Sequence, residues 1–459
     1  MILWDKLKNE MLRHPRKTMS ENNAFLTYEE IVIFAEQFSE QLRKEKCCAI
    51  LCNNEMATAM AILSCFAAGV TAVPLSLRYG EIHCKKILEN IKPTALITDL
   101  GGELNIIEFQ SDGYIQQETH PAVIMCTSGT TGTPKGVMLS EENILANAKD
   151  ILEYFNINAN DRILICRPIY HCAVLTGEFI TSLIMGLDIV FYSEKFEPAK
   201  ILRLIKEHNI SVFGGTPTIL NLLAVFNRSS ERIPLRIVSV SGEQLSKTVA
   251  TKISKAFPDA QIYNVYGLTE ACPRVSYLPS EYFEIKPESV GIVLKNVKAK
   301  IVLAHGEIAQ AYEEGLLWVK GPNIMLGYYN DPEATQNVLK DDWLCTGDIA
   351  MMDADGFIYI RGRNDDLIIR GGMNIYPADI ECSVKTDVRT KDVFVYGYEE
   401  RGIVKIGMRI SGNYDTVEDV QKMCDKTLSP YQRPSKIELM DELPKNGSGK
   451  IIRQKERKR

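Results

Sequence analysis

Short apolar runs alternate with amphipathic stretches from residue 45 to about residue 270, and this alternation most constrains the fold. The apolar runs include residues 49–51, 95–97, 123–126, 163–166, 237–240 and 262–266. Repeated strand-then-helix segments predict a layered α/β domain whose strands are mostly parallel. Ligands of such sheets bind beyond the carboxyl ends of the strands, so we expect functional residues in the loops that follow these runs.

The later part of the chain has a different pattern. The 459 residues are too many for one ordinary core, and glycine-punctuated segments at 316–319 and 357–360 predict antiparallel strands. The final segment contains predicted strands of its own and a helix around residues 417–428. We predict an α/β fold with a large N-terminal domain (1–363), which has mixed sheets and a small β-barrel-like part, and a small C-terminal α+β domain (364–459).

Composition argues against two classes of partner and site. The formal net charge of −6 is unfavourable for general nucleic-acid binding, which depends on neutralising phosphates. The twelve cysteines include no Cys-x-x-Cys pair, which disfavours a metal or disulfide framework. Cysteines in apolar runs, such as Cys65 and Cys126, are typical of small buried side chains in a reducing compartment, so we expect a cytoplasmic protein.

Residues 56–77 are nearly uncharged and long enough to suggest a membrane span. Polar and helix-ending residues interrupt them, however, including Gly69 and Pro74. We predict a buried helix that is capped by Asn53 or Asn54 and ends at Gly69, followed by a buried strand over residues 70–75. No membrane span is expected.

Residues 127–136 read Thr-Ser-Gly-Thr-Thr-Gly-Thr-Pro-Lys-Gly and follow a predicted strand. Small hydroxyl and glycine residues let backbone N–H groups approach phosphate oxygens, and Lys135 adds a charge that contributes about 4 kcal/mol of attraction at 4 Å and moderate dielectric. Because Gly136 follows Lys135, the loop is not the Gly-x4-Gly-Lys-Ser/Thr phosphate loop. The predicted polyphosphate-binding residues are Thr127, Ser128, Gly129, Thr130, Thr131, Gly132 and Lys135.

Three further motifs follow in order: Tyr-Gly-Leu-Thr-Glu at 266–270, Thr-Gly-Asp at 346–348, and Leu-Pro-Lys-Asn-Gly-Ser-Gly-Lys-Ile at 443–451. With the loop, they resemble the adenylate-forming superfamily of acyl-CoA synthetases, aryl and fatty-acid CoA ligases, peptide-synthetase adenylation domains and luciferases. The resemblance covers nearly the whole chain from Leu26, with the motifs in the family's order. It implies that a carboxylic acid and ATP give an acyl-adenylate and pyrophosphate, and that a thiol then attacks the mixed anhydride.

The resemblance also implies roles for individual residues. Tyr266 would stack on adenine, Thr269 would contact the α-phosphate, and Glu270 with Thr127 would hold Mg²⁺, whose preferred ligands are oxygens. Asn264 and Gly267 belong to the same nucleotide-binding segment.

The ribose and the reaction itself involve later residues in the resembled family. Asp348 would accept hydrogen bonds from the ribose hydroxyls, Arg363 would assist, and Asp365 would be the hinge about which the small domain turns. Two glycines flank Ser448 and make a flexible arm, so Lys450 could be carried to the substrate carboxylate and phosphate. The predicted catalytic residues are Lys450, Thr269, Glu270 and His171.

The thiol is expected to be CoA. Residues 371–381 resemble the acyl-CoA synthetase form of a loop that lines the pantetheine tunnel, so Gly371 and Gly372 are assigned to it. A carrier-protein phosphopantetheine is the alternative, since an acyl or peptidyl carrier protein presents the same arm.

Residues 167–172 resemble the segment that opens the acyl pocket, with His171 at the gating position. An Asp that pairs with the α-amino group of amino acid substrates is replaced by Cys172, so an α-amino acid substrate is not expected. Arg274 stands where an aliphatic residue is common, and we hypothesise that it meets a polar or second acidic group on the substrate. The predicted pocket residues are Cys172, Thr176, Ser241, Gly242, Pro273 and Arg274.

Two other functional classes stay open from sequence. A nucleotide-binding regulator without catalysis would keep the fold, although the presence of Glu270 and Lys450 argues against it. Oxidation of the adenylate, as in luciferases, is compatible with the resemblance, but no residue singles it out.

Overall fold

The computed structural model describes residues 1–76, 80–100, 103–109, 113–117, 119–127, 134–227, 233–370, 373–400, 403–445 and 451–453. Contacts divide the chain into two compact units. The first comprises Met1–Ala299 and Val319–Leu344, and the second comprises Lys300–Trp318 and Cys345–Arg459. The predicted domain boundary at residue 363 marks a hinge. A division of the chain by its contacts does not test where a hinge lies, so this boundary stays a prediction.

The strands run through the whole chain. They are β1 (Thr18–Glu21), β2 (Ala24–Thr27), β3 (Cys47–Ile50), β4 (Thr71–Pro74), β5 (Ala95–Leu100), β6 (Glu103–Glu108), β7 (Val123–Thr127), β8 (Lys135–Leu139), β9 (Arg162–Ile165), β10 (Asp188–Phe191), β11 (Val212–Gly215), β12 (Ile237–Val240), β13 (Gln261–Gly267), β14 (Arg274–Leu278), β15 (Ile292–Val293), β16 (Lys298–Val302), β17 (Gly315–Lys320), β18 (Gly327–Tyr328), β19 (Leu339–Lys340), β20 (Trp343–Met352), β21 (Ile358–Arg363), β22 (Ile368–Arg370), β23 (Met373–Ile375), β24 (Thr390–Glu400), β25 (Ile403–Gly412) and β26 (Lys436–Leu439).

Helices alternate with most of the strands of the first unit. The α-helices are α1 (Ile2–Arg13), α2 (Tyr28–Leu42), α3 (Glu55–Ala68), α4 (Glu81–Ile91), α5 (Glu141–Tyr154), α6 (Cys172–Val174), α7 (Thr181–Met185), α8 (Pro198–Glu207), α9 (Pro217–Phe226), α10 (Lys247–Ala256), α11 (Pro332–Val338), α12 (Pro377–Val384) and α13 (Val417–Thr427). Between α6 and α7 the backbone forms a π-helical turn, Leu175–Ile180, and Thr269–Ala271 is a short 3₁₀-helix.

Two mixed sheets form the centre of the first unit. Among the described residues, one sheet has the strand order β15-β14-β13-β12-β11-β9-β10-β1-β2 and the other has the order β18-β8-β7-β4-β3-β5-β6. The inner strands are parallel and the edge strands antiparallel. Every residue of β3, β4, β11 and β12 is buried, which agrees with the mostly apolar sequences of these strands. The predicted α/β domain with mixed, mostly parallel sheets is confirmed.

The apolar segment after residue 54 is a helix and a strand, as predicted. The side chain of Asn54 caps α3 by accepting a hydrogen bond from the backbone N–H of Ala57. The helix ends at Gly69, whose φ of 69° is in the left-handed region that glycine adopts without strain. β4 then pairs in parallel with β3. Within the described ranges, none of the helices is long and apolar enough to cross a membrane.

The second unit contains antiparallel strands and the C-terminal α+β part. β20 pairs in antiparallel fashion with β21, which contains most of the predicted segment 357–360. β16 and β17 belong to the same sheet, the expected barrel-like part. Farther on, β24 pairs antiparallel with β25, and β26 pairs in parallel with β25. Helix α13 packs on these strands through Val420, Met423 and Cys424, so the predicted helix and strands are confirmed.

All twelve cysteines are free thiols. Cys65 is fully buried and Cys126 is partly buried. Burial raises the pKa of the Cys126 thiol to about 12, so this thiol is protonated at neutral pH. The interpretation of these cysteines as small hydrophobic side chains agrees with this chemistry.

Candidate active site

The predicted polyphosphate loop connects two paired strands. β7 leads into the loop and β8 leads out of it, and Thr127 lies opposite Lys135 in their antiparallel register. The Thr127 hydroxyl donates to the Lys135 carbonyl oxygen over 3.5 Å. Both residues are partly buried, so the hairpin fixes the two ends of the loop. Five of the predicted residues, Ser128, Gly129, Thr130, Thr131 and Gly132, lie outside the described residues.

Lys135 and Glu270, predicted from distant motifs, meet at one tyrosine. The Lys135 ammonium lies 4.6 Å from the centre of the Tyr328 ring, within the range of a cation–π contact. The Tyr328 hydroxyl donates to Glu270 Oε1 over 2.9 Å. Tyr328 therefore contacts the cation with its ring and the carboxylate with its hydroxyl.

Residues 323–329, here termed the strap, hold this arrangement in place. The strap donates backbone hydrogen bonds to the loop hairpin, from Leu326 to the Met138 carbonyl and from Tyr329 to the Gly136 carbonyl, over 2.9 Å and 2.7 Å. It also donates from the Met325 N–H to the Glu270 carbonyl over 2.9 Å. The strap thus joins the hairpin to the turn that carries Glu270.

The turn after β13 contains the Tyr-Gly-Leu-Thr-Glu motif. A Cβ atom on Gly267 would lie 2.0 Å from the Pro273 carbonyl oxygen, which also accepts a hydrogen bond from Leu268 over 2.9 Å. Only glycine fits this close approach of backbone to backbone. Thr269 and Glu270 are the first two residues of the 3₁₀-helix. Tyr266 lies near the end of β13, where it is partly buried.

Asn264, predicted to belong to the nucleotide segment, lies in the interior of β13. Its side chain is buried, and its Nδ2 donates to the Ser289 carbonyl oxygen over 2.8 Å. The structure therefore shows a local role for this amide, and its predicted role toward the nucleotide stays a prediction.

Three of the predicted acyl-pocket residues lie at the π-helical turn: Cys172 in the helix before it, Thr176 within it, and Arg274 against it. Thr176 Oγ1 lies 3.9 Å from Cys272 Sγ, and the Arg274 side chain reaches Gly177, where an added Cβ would lie 2.9 Å from Arg274 Nη2. Burial, with Cys272 beside it, raises the pKa of the Cys172 thiol, which is therefore neutral and a poor nucleophile.

The remaining predicted pocket residues lie on neighbouring segments. Pro273 is buried next to Arg274, whereas Gly242 follows Ser241 in the segment after β12 and is exposed. His171 is the N-cap residue of α6, and the centre of its ring lies 4.5 Å from that of Tyr170. The backbone of this opening segment is tied to α3, because the Ile169 N–H donates to Glu55 Oε2 over 2.8 Å.

The sequence did not predict a buried ion pair at the π-helical turn. Arg167 contacts the Glu178 carboxylate, and its Nη1 donates to the Ser241 hydroxyl over 2.9 Å. Glu178 is buried within the π-helical turn. The sequence marks it only as the single charged residue in the run from Cys172 to Leu187.

In the second unit, the predicted ribose residues face each other across β20 and β21. Asp348 pairs with Arg363 in the strand register, and Arg363 Nη1 lies 3.2 Å from Asp348 Oδ1. Arg363 also donates to the Thr346 carbonyl oxygen over 3.0 Å. The Asp348 side chain is buried on this sheet, which orients its carboxylate.

The remaining predicted residues are only partly described. Asp365 is exposed and lies in a short 3₁₀-helix, Asn364–Asp366, directly after β21. Gly371, Gly372 and Lys450 lie outside the described residues. The roles predicted for these four residues stay predictions.

Comparison with known proteins supplies independent information. A model of the AMP-binding enzyme family matches residues 7–329, and one of the AMP-binding enzyme C-terminal domain matches residues 379–450. The 2-succinylbenzoate–CoA ligase of Bacillus subtilis is 30% identical over 93% of this chain and 92% of its own length. The feruloyl-CoA synthase of an Amycolatopsis species is 28% identical over 90% of this chain and 88% of its own length.

Solved structures are similar over nearly the full length. The O-succinylbenzoate coenzyme A synthetase of Bacillus subtilis, in complex with ATP and magnesium ion, superposes with a TM-score of 0.86 at 28% identity, covering 98% of each chain. The same protein with its acyl-adenylate intermediate also has a TM-score of 0.86. The predicted fold and superfamily are therefore confirmed. The chain belongs to the AMP-binding enzymes, the adenylate-forming superfamily that its motifs resemble, and it is an ATP-dependent acid–thiol ligase.

Proposed function

We propose that this protein converts a carboxylic acid into its CoA thioester in two steps. A carboxylate oxygen attacks the α-phosphorus of ATP, the bond to the β-phosphate breaks, and pyrophosphate leaves. The CoA thiol then attacks the acyl carbon, and AMP leaves. The observation that carries the proposal is the meeting of Lys135, Tyr328 and Glu270 at the ends of two strands that belong to different sheets.

Lys135 and the loop residues would hold the β- and γ-phosphates during the first step. Charge moves to the leaving pyrophosphate as the bond breaks, and a fixed ammonium stabilises it there. The contact with the Tyr328 ring keeps the ammonium in place while leaving its N–H groups for phosphate oxygens. Little covalent chemistry is required of the protein, so positioning contributes most of the rate.

Glu270 and Thr127 fit a magnesium ion that arrives with ATP. Tyr328 holds the Glu270 carboxylate through Oε1, and Mg²⁺ usually keeps water and phosphate oxygens beside one or two carboxylates. A dedicated cage is not needed, and the described residues contain no group of three or more His, Cys, Asp or Glu side chains that could form one. When bound, the ion neutralises charge on the phosphate oxygens.

The other nucleotide contacts follow from the motifs. Tyr266 would stack on adenine, Thr269 would contact the α-phosphate, and Asp348 would accept hydrogen bonds from the ribose. Arg363 supports this assignment because it contacts the Asp348 carboxylate and orients it.

The second half of the cycle would use the C-terminal segment. We assign Lys450 to the substrate carboxylate and α-phosphate in the first step, and Asp365 to the hinge between residues 1–363 and 364–459. Gly371 and Gly372 would line the pantetheine tunnel in the second step. CoA is favoured over a carrier-protein phosphopantetheine because the similar proteins named above are CoA ligases and a CoA synthase.

The acid would enter past His171 into the pocket around the π-helical turn. Cys172 is neutral and carries no charge that could pair with an α-amino group, which supports an acid other than an amino acid. Free cysteines throughout the chain support a reducing, cytoplasmic location.

The proposal is tested by a pyrophosphate-release screen over aliphatic, aryl, hydroxy and dicarboxylic acids, with MgATP. We expect release that depends on one class of acid and a thioester only when CoA is added. Holo carrier protein replaces CoA in a parallel series. No acid-dependent release across the panel would refute the activity, and transfer to carrier protein alone would refute CoA as the acceptor.

Lys450→Ala is expected to separate the two steps. Adenylation should fall about 100- to 1,000-fold, because a charge that stabilises the transition state is lost. Thioester formation from a supplied acyl-adenylate should persist. Lys445→Ala is the control within the same segment, since Lys445 pairs with Asp392 at 2.8 Å, and both steps should be unchanged. Equal loss of both steps in Lys450→Ala would contradict the assignment.

Tyr328→Phe is expected to lower kcat/KM for MgATP about 10- to 100-fold, because the Glu270 carboxylate loses the hydrogen bond that the Tyr328 hydroxyl donates. Initial rates of pyrophosphate release measure this. Tyr192→Phe is a matched control. The Lys200 ammonium lies 5.4 Å from the centre of the Tyr192 ring, and the Tyr192 hydroxyl donates to the Lys195 carbonyl oxygen. Equal effects of the two substitutions would argue against the role of Tyr328.

A further inference from the structure

Arg274 is a buried arginine for which the described part of the chain supplies no counter-ion. The residue is 4% exposed, and its Nε and Nη1 are buried without a hydrogen-bond partner in the described ranges. Among the described residues, no carboxylate forms an ion pair with it. Burying an ionised guanidinium without a partner is unfavourable, so a position of this kind indicates a group supplied from outside the chain.

Arg167, beside the same π-helical turn, shows the contrast. Its guanidinium contacts the Glu178 carboxylate and the Ser241 hydroxyl, although its Nε has no partner. Among the residues that the structure describes, one buried arginine of this region therefore has a carboxylate partner and the other has none.

The backbone of Arg274 is held firmly, so its side chain is directed by the fold. The Arg274 N–H donates to Asn147 Oδ1 over 3.0 Å, and its carbonyl accepts from Asn147 and Asn323 over 2.8 Å and 2.9 Å. From there the guanidinium reaches Gly177, the residue after Thr176 in the predicted acyl pocket. A side chain at Gly177 would crowd the guanidinium, because its Cβ atom would lie 2.9 Å from Arg274 Nη2.

A second unpartnered polar group belongs to the same environment. The Tyr154 hydroxyl is buried, and no described residue forms a hydrogen bond with it. Burial raises the pKa of Tyr154 to about 12, and the nearby charge of Arg274 opposes that rise. A neutral tyrosine and a guanidinium both donate hydrogen bonds, which is the donor set that a carboxylate requires.

We propose that Arg274 binds a second carboxylate of the acyl substrate, so that the acid activated by this enzyme is a dicarboxylic acid. One carboxylate is adenylated, and the other pairs with the Arg274 guanidinium, with the Tyr154 hydroxyl as a further donor. The inference rests on the proposed function and narrows its substrate class. The relatives alone do not decide this class, because 2-succinylbenzoate carries two carboxylates and ferulate carries one.

The test compares diacids with their own monoesters. Wild type and Arg274→Met are assayed for pyrophosphate release with glutarate, adipate, terephthalate and the monomethyl ester of each, and with 2-succinylbenzoate and its two monoesters. For at least one pair, we expect wild type to prefer the diacid by about 10- to 100-fold in kcat/KM and Arg274→Met to lose that preference. An unchanged ratio in Arg274→Met, or no preference in wild type, would overturn the inference.

The melting temperature of the variants distinguishes a substrate-binding Arg274 from an arginine that only stabilises the fold. Without substrate, Arg274→Met should melt at the same temperature as wild type or higher, because an uncompensated buried charge is removed. The preferred diacid should raise the Tm of wild type only. Arg236→Met is the control, since Arg236 pairs with Asp161, so this substitution should lower Tm and leave the diacid preference intact.

Two outcomes keep the inference separate from the proposed function. Release with monoesters and diacids alike would refute the role of Arg274 while leaving acid activation in place, whereas no release with any acid would refute acid activation itself. If Arg274→Met does not fold, Arg274→Lys serves instead. It keeps the charge but lacks the planar fork, so the diacid preference should fall while the rates with monoesters persist, and an unchanged preference would count against the inference.

Discussion

The candidate site depends on the hydrogen bonds that the strap makes to two separate segments. Leu326 and Tyr329 fix the strap to the hairpin around the phosphate loop, and Met325 fixes it to the turn of Glu270. Each such bond contributes about 1 kcal/mol, and a buried group left without its partner costs more. Because the hairpin and the turn come from different sheets, the strap determines how far the lysine stands from the carboxylate. Preorganisation of this kind is what electrostatic catalysis requires.

Charges near the site are arranged in two different ways. Lys135 and Glu270 both contact Tyr328, and Arg167 forms an ion pair with Glu178. These charged groups therefore have partners within the chain. Arg274 has no such partner among the described residues, and its Nε and Nη1 are buried. A binding site commonly carries a local cost that the ligand removes, while the rest of the fold supplies the stability.

Much of the fold could be predicted because local patterns dictate it. The apolar runs became buried strands, and Asn54 and Gly69 delimit α3 through capping and backbone conformation, which depend on near neighbours in sequence. Motifs with a fixed order also identified Lys135 and Glu270. The contact between these two could not be predicted, since it is made through Tyr328, which has no motif of its own in the sequence pattern. Arg274 was singled out as an unusual residue, but its burial and its missing partner depend on α5, the strap and the π-helical turn together.

Acid-dependent exchange of isotope between pyrophosphate and ATP tests the central claim most directly, because it reports reversible formation of the acyl-adenylate before any thiol takes part. We predict that exchange requires the acid and Mg²⁺, proceeds without CoA, and is lost in Glu270→Gln. Exchange that proceeds without an acid, or that Glu270→Gln retains in full, would contradict the account.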